Sequence, residues 1–117
     1  MAVKDVLGRF GEDTAAEHLE KAGLVLVERN WRCREGEIDI VALDGDVLVF
    51  CEVKTRSSGA FGSPAEAVSW VKLSRLRRLA ARWLTEHPGS WADLRFDVVS
   101  VLRTSQGLVV EHLRAVM

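Results

Sequence analysis

The stretch EIDIVALDGDVLVFCEVK, residues 37–54, consists of two apolar segments joined by a short polar turn. Glu37–Leu43 and Val47–Lys54 are rich in Val, Ile and Leu, as strands commonly are. The intervening Asp44-Gly45-Asp46 is a strong turn signal, because Gly accepts the positive φ angle that tight hairpin turns require. The stretch therefore predicts an antiparallel β-hairpin whose charged residues lie away from the turn.

The charged residues of this hairpin are spaced two apart, so each pair lies on one side of its strand: Glu37 with Asp39, and Glu52 with Lys54. A loop at Gly45-Asp46 would put Asp39 directly opposite Glu52, whereas a loop at Asp44-Gly45 would put it diagonal to Glu52. In both registers the two carboxylates share a face, with β-carbons about 5–8 Å apart. The hairpin thus predicts a carboxylate pair beside an ammonium group.

Two converging carboxylates repel each other and resist desolvation, so a positive charge must lie near them. Lys54 is one candidate for that charge, and a divalent cation is the other. Oxygen ligands with few candidate imidazoles favour Mg²⁺ or Mn²⁺ over Zn²⁺. Such an ion would bind a phosphate and acidify a water molecule, while Lys54 would orient that water. We therefore predict a metal site for phosphodiester hydrolysis; the alternative is a structural ion-pair cluster.

Glu12 lies in a predicted helix over residues 6–22, which ends near Gly23. At about 100° per residue, Glu12 shares a helix face with residues that suit contact with a sheet: Gly8, Ala15, Ala16 and Leu19. A carboxylate on a buried face is costly unless it has a partner. Glu12 is therefore a candidate third oxygen ligand of the metal.

The predicted elements outside the hairpin are two helices and three strands, with one long loop. They are the helix over 6–22, strands over 24–31, 94–102 and 108–113, a loop over 57–64, and a helix from Pro64 or Ala65 to about Glu86. The order α-β-β-β-α-β-β is typical of an α/β fold with a mixed sheet flanked by helices. On the long helix, Trp70 and Trp83 are expected to pack in the core.

The composition is that of an ordinary globular protein, with 48% apolar residues among 117. This length suits a single domain with its own core. The longest apolar stretch, Val47–Cys51, is too short to span a bilayer, and the first ten residues have no apolar signal core. Cys33 and Cys51 match no zinc or redox spacing, and free thiols suit a reducing compartment. We expect a cytoplasmic protein without a membrane partner.

The net charge of −1 conceals an uneven distribution. Residues 1–53 carry six Lys/Arg and twelve Asp/Glu, whereas residues 54–82 carry seven Lys/Arg and one Glu. This asymmetry is expected where a carboxylate metal site adjoins a phosphate-binding surface. A solvated basic helix without a ligand would have the same asymmetry, so charge alone leaves both interpretations open.

The basic segment supplies five candidate nucleic-acid contacts: Arg56, Lys72, Arg75, Arg78 and Arg82. The last three recur at three- and four-residue spacing and form one stripe on the helix, which either holds a DNA backbone or is solvated. Lys72 falls at the edge of the apolar face, where it either reaches the site or extends to solvent. Arg56 follows the strand of Glu52 directly and is expected at the rim of the predicted pocket.

Several short motifs follow one another in a specific order. They are Gly11-Glu12, Asn30-Trp31-Arg32, Gly36-Glu37-Ile38-Asp39-Ile40-Val41, Phe50-Cys51-Glu52-Val53-Lys54-Thr55-Arg56, Gly62, Lys72 and Arg95-Phe96-Asp97-Val98-Val99. With these motifs the chain resembles the PD-(D/E)xK nuclease superfamily. More narrowly, it resembles the YraN-like family of small bacterial proteins, predicted endonucleases related to archaeal Holliday junction resolvases. The resemblance extends from about Gly8 to Leu102.

The resemblance implies a single PD-(D/E)xK nuclease-like domain over residues 1–117, with a restriction-endonuclease-like αβββαβ core. It implies Asp39 and Glu52 as metal ligands, Lys54 as the catalytic lysine, and Glu12 as the helical acidic residue of the resolvase-like branch. The implied activity is a Mg²⁺- or Mn²⁺-dependent endonuclease that acts on DNA, with branched or damaged DNA as candidate substrates and a homodimer as the suited assembly. The alternative is a nucleic-acid-binding module that kept the fold but does not cut.

Overall fold

The computed structural model describes residues 6–57 and 69–117. Its elements are α1 (Val6–Lys21), β1 (Val25–Cys33), β2 (Gly36–Asp44), β3 (Val47–Ser57), α2 (Trp70–Glu86), β4 (Asp93–Thr104) and β5 (Gly107–Leu113). The strands of this described part form one sheet in chain order. β3 and β4 are parallel, because α2 connects them, and the other neighbouring strands are antiparallel. The predicted mixed α/β fold is confirmed, and it is compatible with a restriction-endonuclease-like core.

The β2–β3 hairpin has its two-residue loop at Gly45-Asp46, since Asp44 pairs with Val47. Gly45 adopts a φ of +63°, the left-handed conformation that the turn needs. Of the two registers that the sequence allowed, the structure therefore has the one that directs Asp39 toward Glu52.

The sheet has an apolar core on each face. The core under α1 contains Ala15, Ala16, Leu19, Leu24, Ile40, Ala42, Val49, Cys51, Val99 and Val101. The core under α2 contains Trp31, Ile38, Val41, Leu48, Phe50, Leu76, Leu79, Ala80 and Trp83. Neither α1 nor α2, as far as the structure describes them, has the length and hydrophobicity to cross a membrane.

Two predictions about α2 differ from the structure. The helix begins at Trp70 rather than at Pro64 or Ala65, because Ser69 is extended and its hydroxyl accepts a hydrogen bond from the Lys72 amide at 3.2 Å. The predicted loop over 57–64 and the predicted first turn lie almost entirely in 58–68, outside the described residues. Trp83 is buried as expected, but the core prediction for Trp70 is wrong.

Trp70 is 77% exposed because of its position around the helix axis. At about 100° per residue it shares a side with Arg77 and Ala81, whereas the buried side of α2 is formed by Leu73, Leu76, Leu79, Ala80 and Trp83. A tryptophan one turn before a core leucine therefore faces solvent here.

Asp97 on β4 anchors the end of the chain to the sheet. Its buried carboxylate accepts two hydrogen bonds from Arg95 at 3.0 Å and one from the Ala115 amide at 3.0 Å, and it lies 2.6 Å from Nε2 of His112. Burial alone would raise the pKa of Asp97, but His112 and Arg95 outweigh it and lower that pKa below its ordinary 3.8.

α1 contacts β3 so closely that only a glycine fits between them. A β-carbon on Gly11 would clash with Oγ1 of Thr55 and lie 2.8 Å from its Cγ2. Glu12 follows Gly11 directly, so this contact also sets how near the Glu12 carboxylate comes to the sheet.

We predict that Gly11→Ala lowers the free energy of unfolding by about 1–3 kcal/mol, because the new methyl group overpacks the α1–β3 contact. The same change in an unobstructed helix would instead stabilise it by up to about 1 kcal/mol. Urea denaturation followed by circular dichroism measures the effect. Adding Thr55→Ala removes the two nearest atoms and should restore part of the loss; a stabilising Gly11→Ala would contradict the contact.

We also predict that Asp97→Asn lowers the free energy of unfolding by about 3–5 kcal/mol, because it removes the buried charge that Arg95 and His112 share and leaves Arg95 with Asp44 alone among the described residues. The lowered pKa of Asp97 means that the wild-type advantage is complete above pH 3.8 and shrinks as the pH falls through the folded-state value. Denaturation at several pH values checks both points. Asp93→Asn, at the exposed start of β4, is the matched control and should change stability by less than about 0.5 kcal/mol.

Candidate functional site

The β2–β3 ladder ends at the pair Ile40–Cys51, immediately before Asp39 and Glu52 would pair. Beyond this point β2 continues to pair with β1 as far as Gly36, and β3 continues to pair with β4. The two strands therefore separate at the predicted site. The Asp39 carboxylate fills the gap, where its Oδ2 accepts a hydrogen bond from the Val53 amide at 2.8 Å.

Three carboxylates meet where the strands separate. One oxygen each of Glu12, Glu37 and Asp39 lies within 4.8 Å of the others. Glu12 comes from α1 and is 4% exposed, whereas Glu37 and Asp39 come from β2 and are half-buried. Octahedral Mg²⁺ or Mn²⁺ at about 2.1 Å from its ligands would place their oxygens about 3–4 Å apart. The donor set and its spacing fit such an ion after small adjustments.

Glu37 is held in this group by a residue of the neighbouring strand β1. Nε of Arg32 donates to Oε2 of Glu37 at 2.6 Å, and Arg32 pairs with Glu37 across the β1–β2 ladder. A charge-assisted bond of this length fixes the carboxylate and offsets part of the repulsion among the three acids.

Glu52 and two lysines lie on the β3 side of the site. Nζ of Lys54 is 3.6 Å from Oε1 of Glu52, and both side chains are only about a quarter exposed or less. The amine of Lys72, from the first turn of α2, adjoins that of Lys54. This interaction, followed by burial, lowers the pKa of Lys72 below its ordinary 10.5. Sequence reasoning left open whether Lys72 reaches the site; in the structure it does.

A cavity of about 420 Å³ opens between the tip of the β1–β2 hairpin and α2. It is lined by Arg32, Cys33, Arg34, Glu35, Gly36, Glu37, Asp39, Glu52, Lys72, Arg75, Leu76 and Leu79. The acidic residues at the strand divergence thus face a space that a ligand can enter. The hairpin and α2 are joined next to this cavity, where Glu35 pairs with Arg82 at 3.1 Å, and further along β1, where Glu28 accepts a hydrogen bond from the Trp83 indole at 3.0 Å.

Only two of the five predicted nucleic-acid contacts line this cavity. Lys72 and Arg75 line it, whereas Arg56, Arg78 and Arg82 do not. Arg56 is half-buried on β3 and Arg78 is exposed on α2. Arg82 is already paired with Glu35 and with Glu86 at 3.3 Å.

Sequence reasoning brought Glu12, Asp39, Glu52 and Lys54 to one place, and the structure puts them at the same divergence of strands. It did not assign a role to Glu37, although the spacing of two residues before Asp39 was the available signal. In the structure Glu37, rather than Glu52, completes the close group of three carboxylates. Arg32 was missed as well, because its pairing with Glu37 depends on a hairpin turn at Arg34-Glu35.

Comparison with known proteins shows which family the chain matches. Residues 11–101 match the model of the family described as "Uncharacterised protein family UPF0102". The chain belongs to the UPF0102 family. The matched range begins at Gly11 and ends in β4, so it includes Glu12, the β2–β3 hairpin and α2.

Relatives from several bacteria align with this chain over nearly its whole length. A UPF0102 protein of Frankia casuarinae is 61% identical over 115 residues, which cover 97% of this chain and 98% of the relative. One from Beutenbergia cavernae is 61% identical over 117 residues, with 99% of each chain covered. One from Streptomyces griseus is 56% identical over 118 aligned positions, again with 99% coverage of each. The UPF0102 family description names no reaction, so the chemistry must be argued from the site.

We predict that Glu37→Gln weakens Mn²⁺ binding about 10- to 100-fold, because it removes one charged oxygen ligand from the group of three. Isothermal titration calorimetry measures the dissociation constant. Glu20→Gln, on the exposed side of α1, removes the same charge far from the group and should leave binding unchanged. Equal affinities for the wild type and Glu37→Gln would exclude Glu37 as a ligand.

Proposed function

We propose that this UPF0102 protein is a metal-dependent endonuclease that hydrolyses phosphodiester bonds in DNA. The observation that carries the proposal is the group formed by Glu12, Glu37 and Asp39 at the mouth of separating strands, beside Glu52 and Lys54. Three carboxylates within 4.8 Å in a half-buried place are expensive to maintain for stability alone. Glu37 and Asp39 of this group also line the cavity, and carboxylates beside such a space are what binding of a divalent cation and a phosphate requires.

Glu12, Glu37 and Asp39 would hold Mg²⁺ or Mn²⁺, with Glu52 available as a further oxygen ligand. The ion, when bound, supplies a Lewis acid that neutralises phosphate charge and lowers the pKa of a bound water. Asp39 is kept in place by the Val53 amide, and Glu37 by Arg32. These bonds preorganise the oxygens, so binding does not have to move them far.

In this proposal Lys54 acts on the nucleophile and on the phosphate. In the structure its ammonium group is 3.6 Å from Glu52, which keeps it at the edge of the carboxylate group. From there it orients the attacking water and stabilises the negative charge that develops on the phosphate oxygens. Lys72 adjoins Lys54 and brings a second amine toward the same oxygens.

The remaining basic residues support a polyanionic substrate. Arg34 and Arg75 line the cavity from the hairpin tip and from α2, and neither forms an ion pair within the described part of the chain. They are suited to phosphates on either side of the bond that is cut. Cys33 and Cys51 are free thiols, as fits the cytoplasmic location that we propose with this function.

We predict Mg²⁺- or Mn²⁺-dependent cutting of DNA that falls at least about 100-fold in Asp39→Asn, Glu52→Gln and Lys54→Met. Each substitution keeps the side-chain volume nearly constant and removes the charge that the mechanism needs. The substrates are end-labelled plain duplex, nicked duplex, single strand and four-way junction, with products resolved on denaturing gels.

Glu17→Gln and Lys21→Met are matched controls, because Glu17 and Lys21 form an exposed pair on α1 remote from the cavity. Both should cut as the wild type does. Tight DNA binding without cutting by the wild type in either metal would replace the proposal with a non-cleaving binding module. Cutting that survives all three site substitutions would place the chemistry elsewhere.

A further inference from the structure

The cavity beside the carboxylate group has a lining of mixed chemistry. Acidic and basic side chains line it, among them Glu37, Asp39, Glu52 and Lys72, and so do the apolar Leu76 and Leu79. Leu76 and Leu79 belong to the core under α2 and are at most 4% exposed, so they form a fixed apolar part of the wall. A ligand that fills the cavity must therefore combine an anionic group with a flat or apolar one.

A nucleotide has this composition, with a phosphate at one end and a base at the other. The cavity volume of about 420 Å³ is within the range of about 300–1,000 Å³ that takes one small molecule. A duplex cannot present its bases to such a space, since each base is stacked and paired, and enzymes that need a base in a pocket must extrude it. The cavity fits one unpaired nucleotide next to the phosphate that is cut.

The β1–β2 hairpin is joined to α2 at two levels beside the cavity. Glu35 at the hairpin tip pairs with Arg82 at 3.1 Å, and Glu28, further along β1, accepts a hydrogen bond from the Trp83 indole at 3.0 Å. His87 stacks on the Trp83 ring with centroids 3.9 Å apart and lies 3.3 Å from the Glu28 carboxylate. These contacts oppose the widening that a double helix between hairpin and α2 would require.

The number of cations around the cavity is also small. Among the residues that the structure describes, four cations line it, namely Arg32, Arg34, Lys72 and Arg75, and Arg32 is already paired with Glu37. About three cations remain for phosphates. Proteins that hold a duplex through its backbone commonly neutralise about 6–10 phosphates, whereas three contacts suit a short single-stranded segment.

From these observations we infer that the cavity is a nucleotide site that admits an unpaired DNA strand and excludes an intact duplex. The inference rests on the proposed function, whose substrate it narrows to strands that are unpaired at the cut, such as flaps, gaps and the open centres of branched DNA. The phosphate would lie over the carboxylate group, whose residues would hold the ion, and the neighbouring base would lie toward Leu76 and Leu79.

Cys33 provides a test that does not depend on catalysis. It is half-buried and lines the cavity, whereas Cys51 is completely buried, and burial raises its thiol pKa well above the ordinary 9.0. Iodoacetamide should therefore label Cys33 selectively, and mass spectrometry of tryptic peptides reports the rate. Cys33→Ser should abolish the labelling and so verifies the assignment.

We predict that a single-stranded oligonucleotide with Mg²⁺ slows Cys33 labelling at least fivefold, while a blunt duplex of the same sequence at equal concentration leaves the rate within twofold. Asp39→Asn, which is expected to lose both the ion and the cutting, should weaken the protection, because the phosphate would no longer have its counter-charge. Arg75→Ala should weaken the protection, and Arg77→Ala, on the other side of α2, should not.

The salt dependence of binding gives a second criterion. Three phosphate contacts predict a slope of log affinity against log salt of about −2 for the single strand, whereas a duplex held along its backbone would give about −5 or steeper. Equal protection by duplex and single strand, no protection by either, or a slope of the steeper kind would overturn the inference. Selective protection by the single strand without any cutting would retain the nucleotide site and refute the nuclease proposal. Cutting of blunt duplex at the single-strand rate would support the nuclease proposal and overturn the nucleotide site.

Discussion

The hydrogen bond from the Val53 amide to the Asp39 carboxylate is the contact on which the site depends. It stands where the next backbone pair of the β2–β3 ladder would have been, so a side chain of β2 satisfies a donor of β3 after the strands separate. Because β2 then follows β1 and β3 follows β4, the sheet opens without leaving that amide unpaired. The opening gives Glu12 access from α1 and creates the cavity under α2.

The same separation explains why acidic residues from different layers can meet. In a continuous sheet α1 and α2 pack on opposite faces, and residues facing one helix cannot approach the other. At the divergence that barrier ends: Asp39 and Glu37 lie close to Glu12 of α1 and also line the cavity beside α2. Arg32 and Lys54 bring positive charge to the edges of this group, which makes the concentration of carboxylates tolerable.

Much of this arrangement could be predicted from the sequence, because it follows from local periodicity. The hairpin turn at Gly45, the shared side of Asp39 and Glu52, and the buried face of Glu12 each depend on spacing within a few residues. The start of α2 could not be placed, since the Ser69 cap is a weaker signal than Pro64. The roles of Glu37 and Arg32 depend on the β1–β2 turn and on how far β2 separates from β3. The core prediction for Trp70 fails because its angle about the axis of α2 puts it beside Arg77 and Ala81 rather than on the side of the core leucines.

The close approach of α1 to β3 through Gly11 and Thr55 has a consequence for ion choice. It fixes the distance between the layer that carries Glu12 and the layer that carries Asp39, and this distance limits the radius of any ion held between them. Mg²⁺ and Ca²⁺ differ by only about 0.3–0.5 Å in their preferred oxygen distances, so a slightly thicker interlayer would favour the larger ion. In the proposed site, a change in the helix-to-sheet distance at Gly11 would therefore alter the preference between these ions without exchanging a ligand.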